Sequence, residues 1–360
     1  MKIIMIIPSF LPLVGGAELQ LFKLTSALVD NGQEVEILTR KHENNLLEEE
    51  IIDNCRVKRL TYFFYPFGFL ISLFIWLFKN RKDFKVIHVH TVNSPAFLAS
   101  FFSWIFNKSV IIKVTSSGEN SVFYQFNLLK IWLLKLFKAN FLSLTKSSKD
   151  ELVFKKIPKN RIFVVPNGVH VSSFLKKSNQ KLKFLFVGRI VKQKNIDLLI
   201  KAWSLLDRNL SELFIVGDGT EVKRIQELIK EKSLENEVFM LGNIKNSEVQ
   251  KLMQKSDSII LPSDSEGFSN AVLEAMSNSM VPIVKDIKPN LEIFEDKNNG
   301  LIFHDKYDLY NCMLSVIHDQ SLRDSIALEA FNSVRRNYSI NKVAKEYIRI
   351  YKFLSDYKNL

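Results

Sequence analysis

The sequence has little cysteine and no local cluster of metal ligands. Its two cysteines, Cys55 and Cys312, cannot form the disulfide framework of a small secreted domain, so a reducing cytosol is favoured. His88 and His90 share one face of a predicted strand, but no third His, Cys or Asp stands at a suggestive spacing. A metal pair stays open as an alternative, and the sequence favours no metal site.

Also missing are a dinucleotide fingerprint and a secretory signal. Gly15 and Gly16 lie where a first strand turns into a first helix, a usual place for phosphate contact, but they form no G-x-G-x-x-G pattern. This disfavours a dehydrogenase, and a flexible turn stays an alternative. The apolar run at the start is short, Pro8 interrupts it and no small-residue cleavage site follows, so it predicts a buried strand.

The chain is long, apolar and basic. Its 360 residues suggest two domains, and a hydrophobic fraction of 47% is ample for globular cores. A net charge of +12 and a pI of about 9.4 allow nucleic acid, anionic lipid or polyanionic substrates as partners. The basic residues are scattered among long apolar faces and form no single polar stripe, which argues against nucleic acid.

Strand-like and helical segments alternate along the chain, as in parallel α/β sheets. The predicted strands cover residues 2–7, 35–39, 86–89, 110–114, 141–144 and 162–165 in the first half, and 183–187, 213–216, 238–242, 259–262 and 281–284 in the second. Helices are predicted over residues 17–29, 195–206, 247–254, 306–336 and 340–354. Turn residues in the segment 165–174 and the polar, basic residues 178–183 place a domain linker between the two halves.

One stretch, residues 263–284, combines several features of a ligand-binding loop. It follows a predicted strand, at the end where α/β sheets bind ligands. Ser269 or Asn270 is predicted to cap the next helix, whose first N–H groups suit a phosphate. Glu266 and Glu274 can accept hydrogen bonds from sugar hydroxyls. Taken alone, the two glutamates also fit a solvated surface loop.

Within this stretch, residues 266–274, EGFSNAVLE, resemble the E-x7-E element of retaining nucleotide-sugar glycosyltransferases, family 4. The helix continuation AVLEAM and the later VPIV match as well. The resemblance implies a GT-B architecture, an α/β fold of two Rossmann-like domains facing a cleft, with a C-terminal helix crossing back to the first domain. It implies an acceptor- and membrane-side domain at residues 1–168, a nucleotide-sugar-binding domain at 169–340 and the crossing helix at 341–360. Because fold alone does not fix function, the site residues carry the functional prediction.

A second element, GRIVKQKN, resembles the family's G-R-x4-K pattern. The resemblance makes Arg189 and Lys194 the cations that face the leaving diphosphate, with Glu266 orienting the donor sugar, and these three are the predicted catalytic residues. On its own the loop also fits a solvated basic turn in a lysine-rich protein. The family has glycine after the lysine, where this chain has Asn195, and asparagine tolerates unusual backbone angles.

The same resemblance supplies the donor-binding and acceptor-side residues. It implies that Glu274 lies near the ribose, Gly242 near the base, and the glycines and the turn before the helix near the diphosphate. The predicted donor-binding residues are Gly15, Gly16, Gly267, Phe268, Ser269, Asn270, Glu274 and Gly242. His90 and Thr115 are expected to border the acceptor. Where many members carry a histidine after the next strand, this chain has Thr115, so no histidine contact to the donor sugar is expected.

Two segments of the first half are unusually apolar. Residues 60–78 contain no charge, but Pro66 and Gly68 leave only about ten uninterrupted helical residues, so a spanning helix is a lesser alternative. Residues 122–136 predict a basic amphipathic helix with Trp132, typical of a helix in the membrane interface. Packing of both apolar faces in the core stays an alternative. The preferred interpretation is a cytoplasmic enzyme held peripherally on the anionic inner face of the cell membrane.

The sequence therefore predicts a retaining glycosyltransferase that moves a sugar from a nucleotide-diphosphate sugar to a hydroxyl acceptor. A lipid-linked glycan of a bacterial surface polysaccharide is the expected acceptor. No metal or cofactor is expected beside the nucleotide-sugar co-substrate. Two alternatives stay open, a nucleotide-sugar 2-epimerase of the same fold and a non-catalytic peripheral membrane protein. Formation of an epimer in buffer would indicate the epimerase. Absence of nucleotide-sugar binding would indicate the non-catalytic protein.

Overall fold

The chain folds into two compact units. The structure is a computed structural model that describes residues 1–13, 15–62, 64, 67–115, 128–174, 181–207 and 209–356. One unit comprises Met1–Gly168 together with Ile340–Leu360, and the other comprises Val169–Ser339. Each is a sheet of mainly parallel strands covered by helices, so the predicted α/β fold with two Rossmann-like domains is confirmed.

The first unit is built on an eight-stranded sheet. Its strands are β1 (Lys2–Ile6), β2 (Glu34–Arg40), β3 (Glu49–Ile52), β4 (Cys55–Leu60), β5 (Val86–Val89), β6 (Ser109–Val114), β7 (Asn140–Ser143) and β8 (Ile162–Val164). They lie in the order β3-β4-β2-β1-β5-β6-β7-β8, and only the β3–β4 pair is antiparallel. The turn of that hairpin consists of Asp53 and Asn54, both with the positive φ that tight two-residue turns require.

Helices cover both faces of this sheet. They are α1 (Gly16–Asp30), α2 (Phe67–Lys79), α3 (Ser94–Ile105), α4 (Leu128–Leu136) and α5 (Lys146–Phe154), together with the last helix of the chain, α13 (Ile340–Asp356). Helices α2 to α5 share one hydrophobic core, whereas α13 packs on α1. A 2.6 Å hydrogen bond joins the Tyr351 hydroxyl of α13 to His88 Nδ1, and Ser109 Oγ donates to the Leu354 carbonyl at 2.6 Å. The predicted return of the C-terminal helix to the first unit is therefore confirmed.

The second unit has a six-stranded, all-parallel sheet. Its strands are β9 (Leu182–Val187), β10 (Ser211–Val216), β11 (Val238–Gly242), β12 (Ser258–Leu261), β13 (Val281–Lys285) and β14 (Leu301–Phe303). Its helices are α6 (Ile196–Trp203), α7 (Val222–Glu231), α8 (Asn246–Lys255), α9 (Asn270–Ser277), α10 (Lys288–Leu291), α11 (Lys306–His318) and α12 (Gln320–Asn337). The order β11-β10-β9-β12-β13-β14 is that of a doubly wound sheet, in which the strand sequence reverses between β9 and β12.

Two helical regions differ in detail from the sequence predictions. The helix expected over residues 306–336 is interrupted at Asp319, which has an extended backbone conformation. The Asp319 side chain caps the start of α12 by accepting a hydrogen bond from Leu322 N at 2.9 Å. Of the apolar segment 60–78, the part from Phe67 onward forms α2. Among the residues that the structure describes, no helix is long and apolar enough to cross a membrane.

Candidate active site

Two loops meet where the strand order of the second sheet reverses. One follows β9 and the other follows β12, and both leave from the carboxyl ends of neighbouring strands, where such sheets bind ligands. The backbone N–H of Asp264 donates to the Gln193 carbonyl at 3.0 Å, and the Gln193 side chain donates to the Ser265 carbonyl at 2.7 Å. These hydrogen bonds join the two loops into one surface.

Lys194 and Glu266 form an ion pair between these loops. The Lys194 ammonium donates to Glu266 Oε1, and only 15% and 10% of the two side chains is exposed. Asn195 follows in the left-handed region with φ 49°, as expected for asparagine in place of glycine, and its amide donates to Asp264 Oδ1 at 3.0 Å. The fold thus brings together two of the three predicted catalytic residues, which lie 72 positions apart in the sequence.

Arg189, the third predicted catalytic residue, lies in the loop after β9 with an exposed side chain. Within the described part of the chain, it pairs with no carboxylate. The loop is supported by two glycines. A Cβ at Gly217 would lie 1.9 Å from the Gly188 carbonyl oxygen, and a Cβ at Gly219 would lie 2.2 Å from that of Ile190. Only glycine permits this approach, which the sequence alone did not reveal.

The helix after β12 begins without a side-chain cap. α9 starts at Asn270, and Ser269 occupies the N-cap position, but its hydroxyl accepts no hydrogen bond from the first turn. Ser269 therefore occupies the predicted cap position without the predicted side-chain hydrogen bond. Gly267 and Phe268 lie in the preceding turn, where the Phe268 ring packs near that of Tyr338. Because the cap side chain does not accept from the first turn, the helix N-terminus retains its capacity to bind an anion.

Glu274 and Gly242 also take defined positions in the second unit. The Glu274 carboxylate accepts a hydrogen bond from the side-chain amide of Gln250 in α8 at 2.7 Å. Gly242 ends β11 with φ +66°, and its carbonyl accepts from Gly217 N at 2.8 Å. Gly242 is therefore tied to the same glycine turn that supports Arg189, whereas Glu274 is fixed by the neighbouring helix.

In the first unit, Gly15 and Gly16 lie at the start of α1. Gly15 is the N-cap in an extended conformation, and Gly16 is the exposed first residue of the helix. This start adjoins the place where the strand order of the first sheet reverses, between β1 and β5. A Cβ at Gly15 would lie 2.5 Å from Glu18 Oε2, so glycine lets that carboxylate fold back over the helix start. The Glu18 carboxylate therefore lies near the positive end of α1.

His90, expected to border the acceptor, is buried in the first unit. Its backbone N–H donates to the Ile6 carbonyl at 2.9 Å, and its ring centroid lies 4.4 Å from that of His88. Burial holds the pKa of both imidazoles well below the usual value, so both are neutral at physiological pH. The described residues contain no group of three or more His, Cys, Asp and Glu that suits a metal ion. Thr115 is exposed after β6, and the residues that follow it lie outside the described part.

A buried lysine that the sequence analysis did not single out lies close to these histidines. The Lys113 ammonium, in β6, donates to Asn167 Oδ1 at 2.7 Å and lies 5.9 Å from the centroid of the Tyr347 ring. Burial lowers the pKa of this ammonium to about 7. The signal in the sequence was a single cation inside an otherwise apolar strand, SVIIKV.

Comparison with known proteins defines the class. Residues 172–332 match the model of glycosyl transferases group 1, and residues 14–173 match the model of glycosyltransferase family 4. An uncharacterized glycosyltransferase of Methanocaldococcus jannaschii, MJ1607, is 26% identical over 98% of each chain. The phosphatidylinositol N-acetylglucosaminyltransferase GPI3 subunit of Saccharomyces cerevisiae is 22% identical over 98% of this chain and 83% of that protein.

Solved structures share the fold at low sequence identity. Anabaena Alr3699/HepE in complex with UDP superposes with a TM-score of 0.81 at 18% identity, covering 97% of this chain and 99% of that one. TarM superposes with a TM-score of 0.80 at 16% identity, covering 97% and 98%. With the two family matches spanning both units, the chain is a glycosyltransferase of the GT-B kind.

Proposed function

We propose that the protein transfers a sugar from a nucleoside-diphosphate sugar to a hydroxyl acceptor with retention of the anomeric configuration. The observation that carries this proposal is the Lys194–Glu266 pair at the strand-order reversal of the second sheet, between loops that also hold the exposed Arg189 and the N-terminus of α9. Cations, helix N–H groups and a carboxylate suit a diphosphate joined to a polyol. Similar solved structures are complexes with UDP and UDP-glucose, which supports a nucleotide-sugar donor.

The difficult step in this reaction is the departure of the nucleoside diphosphate from C1 of the sugar. Arg189, Lys194 and the N–H groups at the start of α9 stabilise the negative charge that develops on the leaving phosphate oxygen. Glu266 accepts hydrogen bonds from sugar hydroxyls and orients the ring. Lys194 donates a hydrogen bond to Glu266, which holds the sugar. The same ammonium then faces the nucleoside diphosphate that departs from the sugar. These cations supply the charge that a metal ion would otherwise supply, so the proposed reaction requires none.

The bond changes follow from this arrangement. The bond between C1 and the diphosphate oxygen breaks, and the acceptor oxygen bonds to C1 on the same face of the ring. The acceptor proton passes to the departing phosphate oxygen, which serves as the base. Attack on the same face retains the configuration without a covalent intermediate between sugar and protein. Glu274, fixed by Gln250, binds the ribose hydroxyls of the nucleotide.

The proposed acceptor is a lipid-linked glycan of a bacterial surface polysaccharide, reached by an enzyme that lies peripherally on the cytoplasmic face of the membrane. Support comes from α4, where Leu129 and Trp132 are exposed although the helix also buries an apolar side. Residues 122–127 of the predicted amphipathic helix lie outside the described part of the chain. One relative carries phosphatidylinositol in its name, which supports a lipid-borne acceptor.

Isothermal titration against a panel of nucleoside-diphosphate sugars tests the donor proposal, followed by an assay for slow release of the sugar in buffer. We expect saturable binding of at least one donor and release of its sugar with retained configuration, read by NMR. Absence of binding by every donor would contradict the proposal and favour a non-catalytic membrane protein. Conversion of the donor to its 2-epimer in buffer would show an epimerase in place of a transferase.

A further inference from the structure

The first unit exposes a row of large apolar side chains along α2. One side of this helix enters the core, where Leu73 and Leu77 are fully buried. On the other side Phe67, Ile71 and Ile75 follow each other at four-residue spacing and stay 73%, 61% and 47% exposed. Soluble monomers rarely leave such a row in water, so the exposed side of α2 is expected to contact something.

Helices α3 and α4 extend this row into a broad surface. α2 contacts α3, and α3 contacts α4, so the three helices form one layer over a shared core. Trp104 of α3 and Trp132 of α4 are about half exposed, and Phe137 contacts Trp104 with ring centroids 5.8 Å apart. We define the three-helix face as the exposed side chains of Phe67, Ile71, Ile75, Trp104, Leu129 and Trp132.

The charge around the three-helix face has one dominant sign. Residues 61–145 contain nine lysines and arginines, of which Lys113 is buried, but only two acidic residues, Asp83 and Glu119. None of the three helices contains an acidic residue within its bounds. The cations at the ends of α2 and α4 are Lys79, Arg81, Lys82, Lys135 and Lys138. An apolar surface with a basic surround and exposed tryptophans matches an anionic lipid surface, because the apolar side chains enter the lipid while the cations meet its phosphates.

We propose that the three-helix face docks on an anionic lipid bilayer. The apolar row of α2 enters the acyl region, and the lysines and arginines around it contact lipid phosphates. Because the exposed row runs along the helix axis, α2 lies in the plane of the membrane surface. This proposal rests on the peripheral location proposed above and extends the lipid contact from α4 to α2.

Co-sedimentation of the full chain with vesicles tests this surface. The probes are vesicles of phosphatidylcholine alone and of phosphatidylcholine mixed with phosphatidylglycerol. The double variant Ile71→Ser with Ile75→Ser should weaken binding to the mixed vesicles by roughly tenfold or more, because it removes two apolar side chains from the lipid contact. The matched control is Leu205→Ser with Leu291→Ser, which changes two exposed leucines of the second unit and should bind as the unchanged protein does.

Several outcomes would overturn the proposal. If the α2 double variant, shown to be folded by circular dichroism, binds mixed vesicles as tightly as the unchanged protein, α2 is not an anchor. If both vesicle types bind equally and added salt has no effect, the net negative charge of the lipid is not recognised, and docking on an anionic bilayer is overturned. Donor titration of the same variant separates this proposal from the proposed function, since donor binding should stay unchanged while vesicle binding falls.

A second copy of the chain is the competing partner for an exposed apolar surface. Light scattering after size-exclusion chromatography, without lipid, distinguishes the two. Docking on lipid predicts that the α2 double variant has the same mass as the unchanged protein. A dimer of the unchanged protein that dissociates in the double variant would overturn the lipid proposal, because the face would then be a contact between copies.

Discussion

Two lysines show how differently the two units use a positive charge. Lys194 in the second unit pairs with a carboxylate, Glu266, in a loop that leaves the carboxyl end of a strand. Lys113 in the first unit is buried and donates to the neutral amide oxygen of Asn167. A ligand at the strand ends can share the first cation, whereas the second is enclosed by the protein.

This contrast shows which unusual charges indicate a site. A carboxylate compensates for the hydration that Lys194 loses. An amide oxygen compensates poorly for the burial of Lys113, so the pKa of Lys113 falls to about 7. The lysine with the lowered pKa is thus the one enclosed by the protein and not the one in the candidate site. A shifted pKa alone therefore does not locate the active site, and position at a strand-order reversal is the better guide.

The largest expected effect is that of removing the carboxylate from the Lys194 pair. Glu266→Ala deletes the partner of Lys194 and the proposed contact with the sugar, so transfer should fall by about a thousandfold, measured as product formed per enzyme. Glu227→Ala, an exposed glutamate of α7, is the matched control and should retain activity. Turnover by a folded Glu266→Ala variant at the unchanged rate would remove Glu266 from the mechanism.

The next largest effect is expected from Arg189, the exposed cation in the same loop as Lys194. Arg189→Ala should weaken binding of the donor's nucleoside diphosphate by about tenfold to a hundredfold, because a charge-assisted hydrogen bond to phosphate is lost. Calorimetric titration measures the affinity. Arg335→Ala, an exposed arginine of α12, should bind as the unchanged protein does. Equal affinity of both variants would show that the diphosphate lies elsewhere.

The enclosed lysine should act on stability through pH. Since the pKa of Lys113 falls from 10.5 to about 7 on folding, the unfolded chain holds a proton between these values that the folded chain has released. Stability gained from this group therefore rises as pH increases from about 7 towards 10. Lys113→Met should flatten the rise in Tm, whereas Lys251→Met, on the exposed side of α8, should preserve it. An unchanged slope in Lys113→Met would assign the pH dependence to other groups.

The smallest expected effect concerns two tyrosines near the enclosed lysine. Tyr351→Phe removes the hydroxyl that is hydrogen-bonded to His88 Nδ1 at 2.6 Å and should cost about 1 kcal/mol of unfolding free energy. The Tyr347 hydroxyl is buried and has no hydrogen-bond partner among the described residues, so Tyr347→Phe should be neutral or stabilising. Urea unfolding measures both. Equal losses would mean that packing, and not the hydrogen bond, dominates this region.

Most of the sheet framework could be predicted because buried parallel strands have continuous apolar sequences. The strand predicted at residues 86–89 is β5, and residues 110–114 fall within β6. The hairpin of β3 and β4 was not predicted. In β4 apolar and charged residues alternate, CRVKRL, and β3 lies at the edge of the sheet with no fully buried residue, so neither gives a continuous apolar signal.

The candidate site could be predicted only as separate pieces. The motifs identified Lys194 and Glu266, but their pairing depends on β9 and β12 being neighbours, which no local pattern encodes. The support of Arg189 by Gly217 depends on one backbone passing close to another, which only the folded chain reveals. Lys113 was missed because its partner lies 54 positions away.

The return of α13 to the first unit sets an order for folding during synthesis. Val169–Ser339 is continuous in the chain and can fold as soon as it has left the ribosome. The first sheet emerges earlier but lacks the helix that supplies Tyr351 and covers His88. The nascent first unit therefore has an uncovered side until α13 emerges, and a chain interrupted before Ile340 would combine a finished second unit with a first unit prone to aggregate.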